Sequence, residues 1–299
     1  MKKTSLFKDL DEFLFLYNDF LLNHNYVRPW QYIVNIGHQV NENGIPGIQY
    51  GITHSARTEL PYDTELCYIF NKYGSDKGGP MQHVSYSPED EALHQPSQKG
   101  KKHTFMLSVF GCGGIGVDLQ NHNYSRFYHH LFKAQKNSKI NIFEMGIGLE
   151  HASAYAKSGG SLRAWKEFFK NSSLYGADID QVAVDQFKNT DVTTFCCDQA
   201  DRLQTLNMFE KIDKQFDLII DDGLHTPPGA ETFFDVSYAF LKKGGVYIIE
   251  DLNLSKEEYR SEYGRIMSDI KSKFNPAFVD IVKLAHYNEK DNNLMVIIN

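Results

Sequence analysis

From Lys139 to the C-terminus, short apolar runs alternate with segments of helical periodicity, and this texture limits the possible folds more than any other feature of the chain. Such alternation marks a parallel sheet whose crossovers are helices. The runs predict strands over 140–144, 173–178, 192–197, 216–220 and 246–250, with helices over 162–169, 182–187, 230–241 and 256–273 among them. Ser161 is the expected cap of the first of these helices, since a hydroxyl there can accept an unsatisfied backbone N–H. Lys242, Lys243, Gly244 and Gly245 read as a turn ahead of the fifth strand. The last two strands, over 278–284 and 294–298, are joined by the polar stretch from Asn288 to Asn293, too short for a parallel crossover of about a dozen residues. They should therefore pair antiparallel. The fold class expected is α/β: a doubly wound, mostly parallel seven-stranded sheet ending in an antiparallel C-terminal hairpin.

Upstream the pattern is different, and it predicts an N-terminal α+β extension over 1–136 ahead of a domain over 137–299. Leu10, Phe13, Leu14, Tyr17, Phe20 and Leu21 recur at helical spacing between acidic residues, so the stretch from Leu6 to Asn23 should be an amphipathic helix. A small β element is expected between Trp30 and Ile52, around the turn residues Asn41 to Gly44. Residues 74–118, rich in Gly, Ser, Pro, His and Lys, read as an irregular insertion or a mobile lid, and 124–136 as a helix.

The 41% hydrophobic, 23% charged and 13% aromatic content of the 299 residues is that of a packed globular chain. A net charge of -7 argues against nucleic acid or an anionic membrane as partner, because both select for basic surface. The basic run from Lys99 to His103 is short and broken by Gly100, and it reads as a solvated loop. Cys67, Cys112, Cys196 and Cys197 show no metal or disulfide spacing and read as reduced thiols. Asp9, Asp11, Glu12 and Asp19 interrupt any signal-like apolar segment, and no window approaches the roughly 18 apolar residues of a membrane span, so the expected location is cytoplasmic. A homo-oligomer is compatible with the sequence.

In open α/β sheets ligands bind beyond the carboxyl ends of the strands. Here those ends are acidic in turn: Glu144, then Asp178 and Asp180, Asp198, Asp221 and Asp222, and finally Glu250 and Asp251. Any one of them could be a helix cap, but capping alone does not account for the whole series. Gly146 and Gly148 after the first strand allow close backbone approach, yet the third glycine of a dinucleotide loop is missing. Asp178 stands where a carboxylate can accept hydrogen bonds from the two hydroxyls of a ribose, a role common to several nucleoside cofactors.

Phe143 to Gly148, Gly159 to Trp165, Tyr175 to Asp180, Phe216 to His225 and Gly244 to Asp251 together resemble the class I S-adenosylmethionine-dependent methyltransferases. More narrowly, they resemble the metal-dependent sugar O-methyltransferases of macrolide tailoring and bacterial polysaccharide pathways. The resemblance runs from Lys139 to the end, and Tyr73 to Gly78 is similar to a short motif preceding the core in related sequences. It implies that 137–299 is the S-adenosylmethionine-binding catalytic domain, with Glu144, Gly146, Gly148, Ser161, Asp178, Asp180 and Asp221 in the cofactor site and Asp198 and Gln199 near the adenine. It further implies that Asp222, Glu250 and Asp251 hold Mg²⁺, that Asp222 and His225 are catalytic with His225 as general base, and that the acceptor is a sugar or a sugar-bearing small molecule.

The chemistry is coherent on its own terms. A sugar hydroxyl must lose its proton as the C–O bond forms, Mg²⁺ prefers oxygen ligands, and a neutral imidazole can take a proton near pH 7. His83, His122, His129 and His130 show no metal spacing and are expected on the surface or the lid. Two other readings remain open at this level: a nicotinamide-dependent oxidoreductase on a similar sheet, and a non-catalytic binding subunit.

Overall fold

The structure is a computed structural model describing residues 6–26, 64–78, 84–85, 104–108, 114–118, 122, 124–148, 158–285 and 292–299. The β element expected between Trp30 and Ile52, the basic run from Lys99 to His103, and His83 and Cys112 lie outside the described residues. Cys67, Cys196 and Cys197 are free thiols.

The upstream elements are helix α1 (Leu10–Asp19), which passes into a π-helical turn (Phe20–His24), helix α2 (Glu65–Tyr73), followed by a 3₁₀ turn (Asp76–Gly78), and helix α3 (Tyr124–Phe132). Between α2 and α3 lie strands β1 (Val84–Ser85), β2 (Thr104–Ser108) and β3 (Gly114–Asp118), which form an antiparallel sheet in the order β1-β3-β2. The stretch expected to be irregular therefore contains a small sheet. Its alternation is diluted by Gly114 and Gly116, which conceal a strand from periodicity.

The main sheet contains β4 (Asn141–Met145), β5 (Ser173–Asp178), β6 (Val192–Cys196), β7 (Phe216–Asp221), β8 (Leu241–Ile249), β9 (Phe278–Lys283) and β10 (Asn293–Ile298). Its seven strands run in the order β6-β5-β4-β7-β8-β10-β9. The first five are parallel, whereas β10 is antiparallel to both neighbours, with Ile298 opposite Val246 on one side and Phe278 on the other.

Strict period-two alternation sorts the apolar residues of these strands into two cores. Ile142, Leu218, Ile220, Val246, Ile248, Leu294 and Val296 face one layer, where Phe13 of α1, Phe70 of α2, Phe127 of α3 and Trp165 of α4 (Gly160–Phe168) cover them. Phe143, Ile219, Tyr247, Met295 and Ile297 face the other, against α6 (Arg202–Ile212), α7 (Pro227–Ser237) and α8 (Glu257–Phe274). A strand buried on both faces needs apolar residues at every position, which is why these runs are continuous. Helices α1 to α3 thus share one core with the sheet. The short α5 (Gln181–Asp185) completes the set between β5 and β6. No described helix is long and apolar enough to cross a membrane.

Three local expectations need correction. Ser161 does not cap α4: the cap position is Gly159, in left-handed conformation, and no side chain bonds there. Strand β8 begins at Leu241, so Lys242 to Gly245 belong to the strand, and a register shift between Phe216 and Leu218 accommodates the glycines. Helix α6 was not anticipated; Asp201 caps it by accepting from the amides of Leu203 and Gln204 at 2.9 and 3.0 Å.

Candidate active site

The carboxyl ends of β4 to β8 open onto one cavity of about 500 Å³. At one end the glycine loop is folded around Asp178. The Asp178 carboxylate accepts from the amides of Ile147 (2.9 Å) and Gly148 (3.2 Å) through Oδ2 and from that of Asp180 (2.9 Å) through Oδ1. Asp198 and Gln199, beyond β6, line the same end. Gln199 donates to Asp221 Oδ1 (2.7 Å) and accepts from the amide of Leu224 (2.7 Å), tying the loop after β7 to the loop after β6.

Gly146 joins this end to the next. Its φ is 81°, and a Cβ there would lie 2.0 Å from the carbonyl oxygen of Asp222. Only hydrogen fits. The glycine loop and the first residue after β7 are therefore in direct backbone contact, reinforced by the Asp222 amide donating to the Met145 carbonyl at 2.9 Å.

At the other end Asp222, His225 and Asp251 present ligand atoms within 4.8 Å of one another. His225 Nδ1 is 3.2 Å from Asp251 Oδ2, and Nε2 is 3.9 Å from Asp222 Oδ1. His225 and Asp251 both adopt left-handed backbone, with φ of 53° and 55°. Non-glycine residues enter that region uncommonly, Asp, Asn and His more readily than most, and such positions concentrate at functional sites. Although burial disfavours the imidazolium, the facing carboxylates of Asp251 and Asp222 raise His225 to about 10. Burial also works against the Asp251 carboxylate, but the imidazoles of His122 and His225 and the Tyr124 hydroxyl hold it well below the usual range.

Beneath this triad lies Lys77, whose side chain is almost wholly buried. Its ammonium is 2.5 Å from Asp222 Oδ2, in contact with Glu250, and 3.6 Å from Glu144 Oε1. Burial alone would strip its proton; Asp222, Glu250 and Glu144 reverse that and hold Lys77 well above its usual value. Burial pushes Glu144 up to about 7 despite Lys77, and Asp221 to about 7. Helix α3 supplies the remaining partners, the Tyr124 hydroxyl donating to Asp251 and the Tyr128 hydroxyl to Glu250.

No family model matches the chain. It is 33% identical over 156 residues, 48% of this chain and 38% of the relative, to mycinamicin VI 2''-O-methyltransferase of Micromonospora griseorubida. It is 32% identical over 131 residues, 44% of this chain and 32% of the relative, to demethylmacrocin O-methyltransferase of Streptomyces fradiae. The chain thus matches well under half the length of these curated relatives. A solved structure of MycE methyltransferase from the mycinamycin biosynthetic pathway, in complex with Mg and SAH, superposes with a TM-score of 0.52 at 20% identity, covering 79% of this chain and 54% of that one. An antiparallel strand inserted between β8 and β9 separates this sheet from the all-parallel dinucleotide type, and the superposition agrees with it. The chain has the class I methyltransferase fold.

Within that methyltransferase fold, the residues singled out from sequence divide into two groups. Gly146, Gly148, Ser161, Asp178, Asp198, Gln199, Asp222, His225 and Asp251 line the cavity. Glu144, Asp180, Asp221 and Glu250 do not. Asp180 caps α5 by accepting from the Val182 amide at 2.9 Å, Asp221 lies buried behind Gln199, and Glu144 and Glu250 face Lys77. His122 is not a surface residue: it stacks on Tyr124 and stands 3.4 Å from Asp251. His129 and His130 are also largely covered, because α3 packs into the core of the methyltransferase fold. Lys77, Tyr124 and Tyr128 were missed. A lysine among Gly, Ser and Asp reads as solvated, and tyrosines four apart on an aromatic helix read as core. The available signal was the motif Tyr73 to Gly78 itself. Gly160 admits it: a Cβ there would come within 2.8 Å of the Tyr73 carbonyl.

Proposed function

We propose that this chain transfers a methyl group from S-adenosylmethionine to a sugar hydroxyl of a small molecule, nucleotide sugar or polysaccharide precursor, with Mg²⁺ assistance and His225 as general base. The observation carrying this reading is the continuity of one cavity from the Asp178 loop to the Asp222, His225 and Asp251 cluster. The relatives that share sequence with it are named as O-methyltransferases of mycinamicin VI, of demethylmacrocin and of a rhamnosyl tetracenomycin C.

S-adenosylmethionine supplies an electrophilic methyl carbon. On the chain's side, Asp178 keeps lone-pair capacity for one ribose hydroxyl after accepting from its three amides, since a carboxylate offers about four such sites. Asp198 and Gln199, which line the same end of the cavity, would border the adenine. The acid cluster fits a hard divalent cation: Asp222 and Asp251 present carboxylate oxygens to the cavity within 4.8 Å of one another, and Mg²⁺ prefers oxygen ligands. Asp222 and Asp251, which face the cavity, would hold the ion; Glu250, expected as the third ligand, has both oxygens bonded, to Lys77 and Tyr128, and would join them only on release of that pairing. When bound, the ion acidifies a neighbouring sugar hydroxyl and, by offsetting Asp222 and Asp251, lowers the proton affinity of His225. Asp251 orients the imidazole through Nδ1, leaving Nε2 to take the hydroxyl proton. The His225 side chain is 38% exposed, so an acceptor can reach it.

The test is release of S-adenosylhomocysteine from S-adenosylmethionine across a panel of nucleotide sugars and sugar-bearing small molecules, with and without chelator. Acceptor-dependent release that EDTA suppresses and Mg²⁺ restores is expected. Calorimetry showing tight NAD binding and none of S-adenosylhomocysteine would overturn the reading in favour of an oxidoreductase.

A further inference from the structure

A second cluster of metal-ligating side chains sits outside the cavity, where the end of α1 meets α3. Asp19, His24 and His130 present ligand atoms that all lie within 4.8 Å of one another. His130 Nε2 is 3.1 Å and His24 Nε2 3.4 Å from Asp19 Oδ2. Donors on a tetrahedral Zn²⁺, at metal–ligand distances of about 2.0–2.2 Å, lie roughly 3.3 Å apart, so these spacings suit a shared ion.

Three further features prepare the site. Asp19 and His24 are five residues apart, which a normal α-helix would place on diverging directions; the π-helical turn Phe20–His24 closes by i→i+5 geometry and brings them together. Asp19 Oδ1 accepts from Asn23 Nδ2 at 2.8 Å, turning Oδ2 toward the two imidazoles. The third feature is at His130, which is 9% exposed and has a buried Nε2 without a hydrogen bond. A backbone hydrogen bond ties the same ring to Leu16. Because a carbonyl can only accept, Nδ1 carries the proton and Nε2 presents its lone pair toward Asp19 and His24. That is the arrangement in which metal-ligating histidines are held. Burial, then His24 and then Lys133, just past the end of α3, favour the neutral form of the ring.

We propose that Asp19, His24 and His130 bind a borderline divalent transition-metal ion of the Zn²⁺ class, separate from the Mg²⁺ site. A carboxylate and two imidazoles suit such an ion better than Mg²⁺. With the His24 side chain 46% exposed, a fourth position stays open to water. The ion clips the N-terminal helix to α3, the helix whose Tyr124 and Tyr128 bond Asp251 and Glu250.

The experiment is a competition titration of Zn²⁺ against a chromophoric chelator in excess Mg²⁺. It uses the full chain carrying Asp222→Asn and His225→Ala, so that the cavity cluster is disabled. One equivalent of Zn²⁺ should still bind, and Asp19→Asn or His24→Ala in that background should weaken it at least tenfold. Both positions reach solvent, and an unchanged circular dichroism spectrum confirms that each variant is folded. Loss of Zn²⁺ binding on disabling the cavity cluster alone, or binding indifferent to Asp19→Asn and His24→Ala, overturns the proposal.

Discussion

The ammonium of Lys77 lies 2.5 Å from the carboxylate of Asp222, across 145 residues of sequence. It is the central counter-charge for Asp222, Glu250 and Glu144, all buried or nearly so. Lys77→Met removes it and leaves the acids facing one another. Breaking a buried ion pair by deleting one partner costs about 3–5 kcal/mol. Urea unfolding of Lys77→Met should show that loss without Mg²⁺ and a partial recovery with it. Equal midpoints for variant and wild type would remove Lys77 from this role.

Asp178 and Asp180 both follow β5, yet they should separate cleanly. Asp178→Ala takes the acceptor from the amides of Ile147 and Gly148 and from any ribose, and hydrogen bonds to a charged group are worth about 1.5–3 kcal/mol each. S-adenosylhomocysteine affinity, measured by calorimetry, should fall at least tenfold. Asp180→Ala removes only a helix cap, with a stability loss of about 1 kcal/mol and unchanged affinity.

His225 combines a proposed chemical role with an unfavourable backbone, φ 53°. Asparagine tolerates that conformation but cannot act as the base. His225→Asn should therefore keep the folded circular dichroism spectrum, with some stability lost through the broken pair to Asp251, while methyl transfer, followed in a single turnover, slows by about 10²–10⁴-fold. Turnover close to wild type would assign the base elsewhere.

Helix α3 should contribute a distinct acid sensitivity. Burial depresses both His129 and His130 below the usual imidazole value. Between those lowered values and about 6.5 these two sites bind more protons in the unfolded chain, so their own contribution to stability rises with pH across that window. Glu144 and Asp221, both raised to about 7, pull the opposite way over the same range, so the histidine contribution is read as a difference between wild type and variant. With chelator present, the urea midpoint of wild type should fall relative to that of the His129→Gln, His130→Gln variant as pH drops below about 6.5. Identical pH slopes for the two proteins would contradict the assignment.

The sheet was legible in the sequence because burial on two faces writes itself as continuous apolar runs such as Phe216 to Ile220, and because a short link between 284 and 294 forces antiparallel pairing. The acids at the strand ends were legible for the same reason, since a strand's last residue is fixed once the strand is. What each acid touches was not. Asp178 and Asp180 differ only by side-chain direction, and Glu250 is claimed by Lys77 and Tyr128, residues placed by helices whose register against the sheet no periodicity reveals. Helix α6 escaped notice although Thr205, Met208, Phe209 and Ile212 keep helical spacing, because the exposed Leu203 and Leu206 and the polar Thr205 on the buried side blur its apolar face.

The contact between Gly146 and the carbonyl of Asp222 makes the Asp178 end of the cavity and the acid cluster a single mechanical part. A methyl group at position 146 would displace the backbone that carries Asp222 and, three residues on, His225. Under the proposed function, changes that reshape one half for a different nucleoside would misalign the other, so acceptor preference would diversify freely only on surfaces farther from that seam.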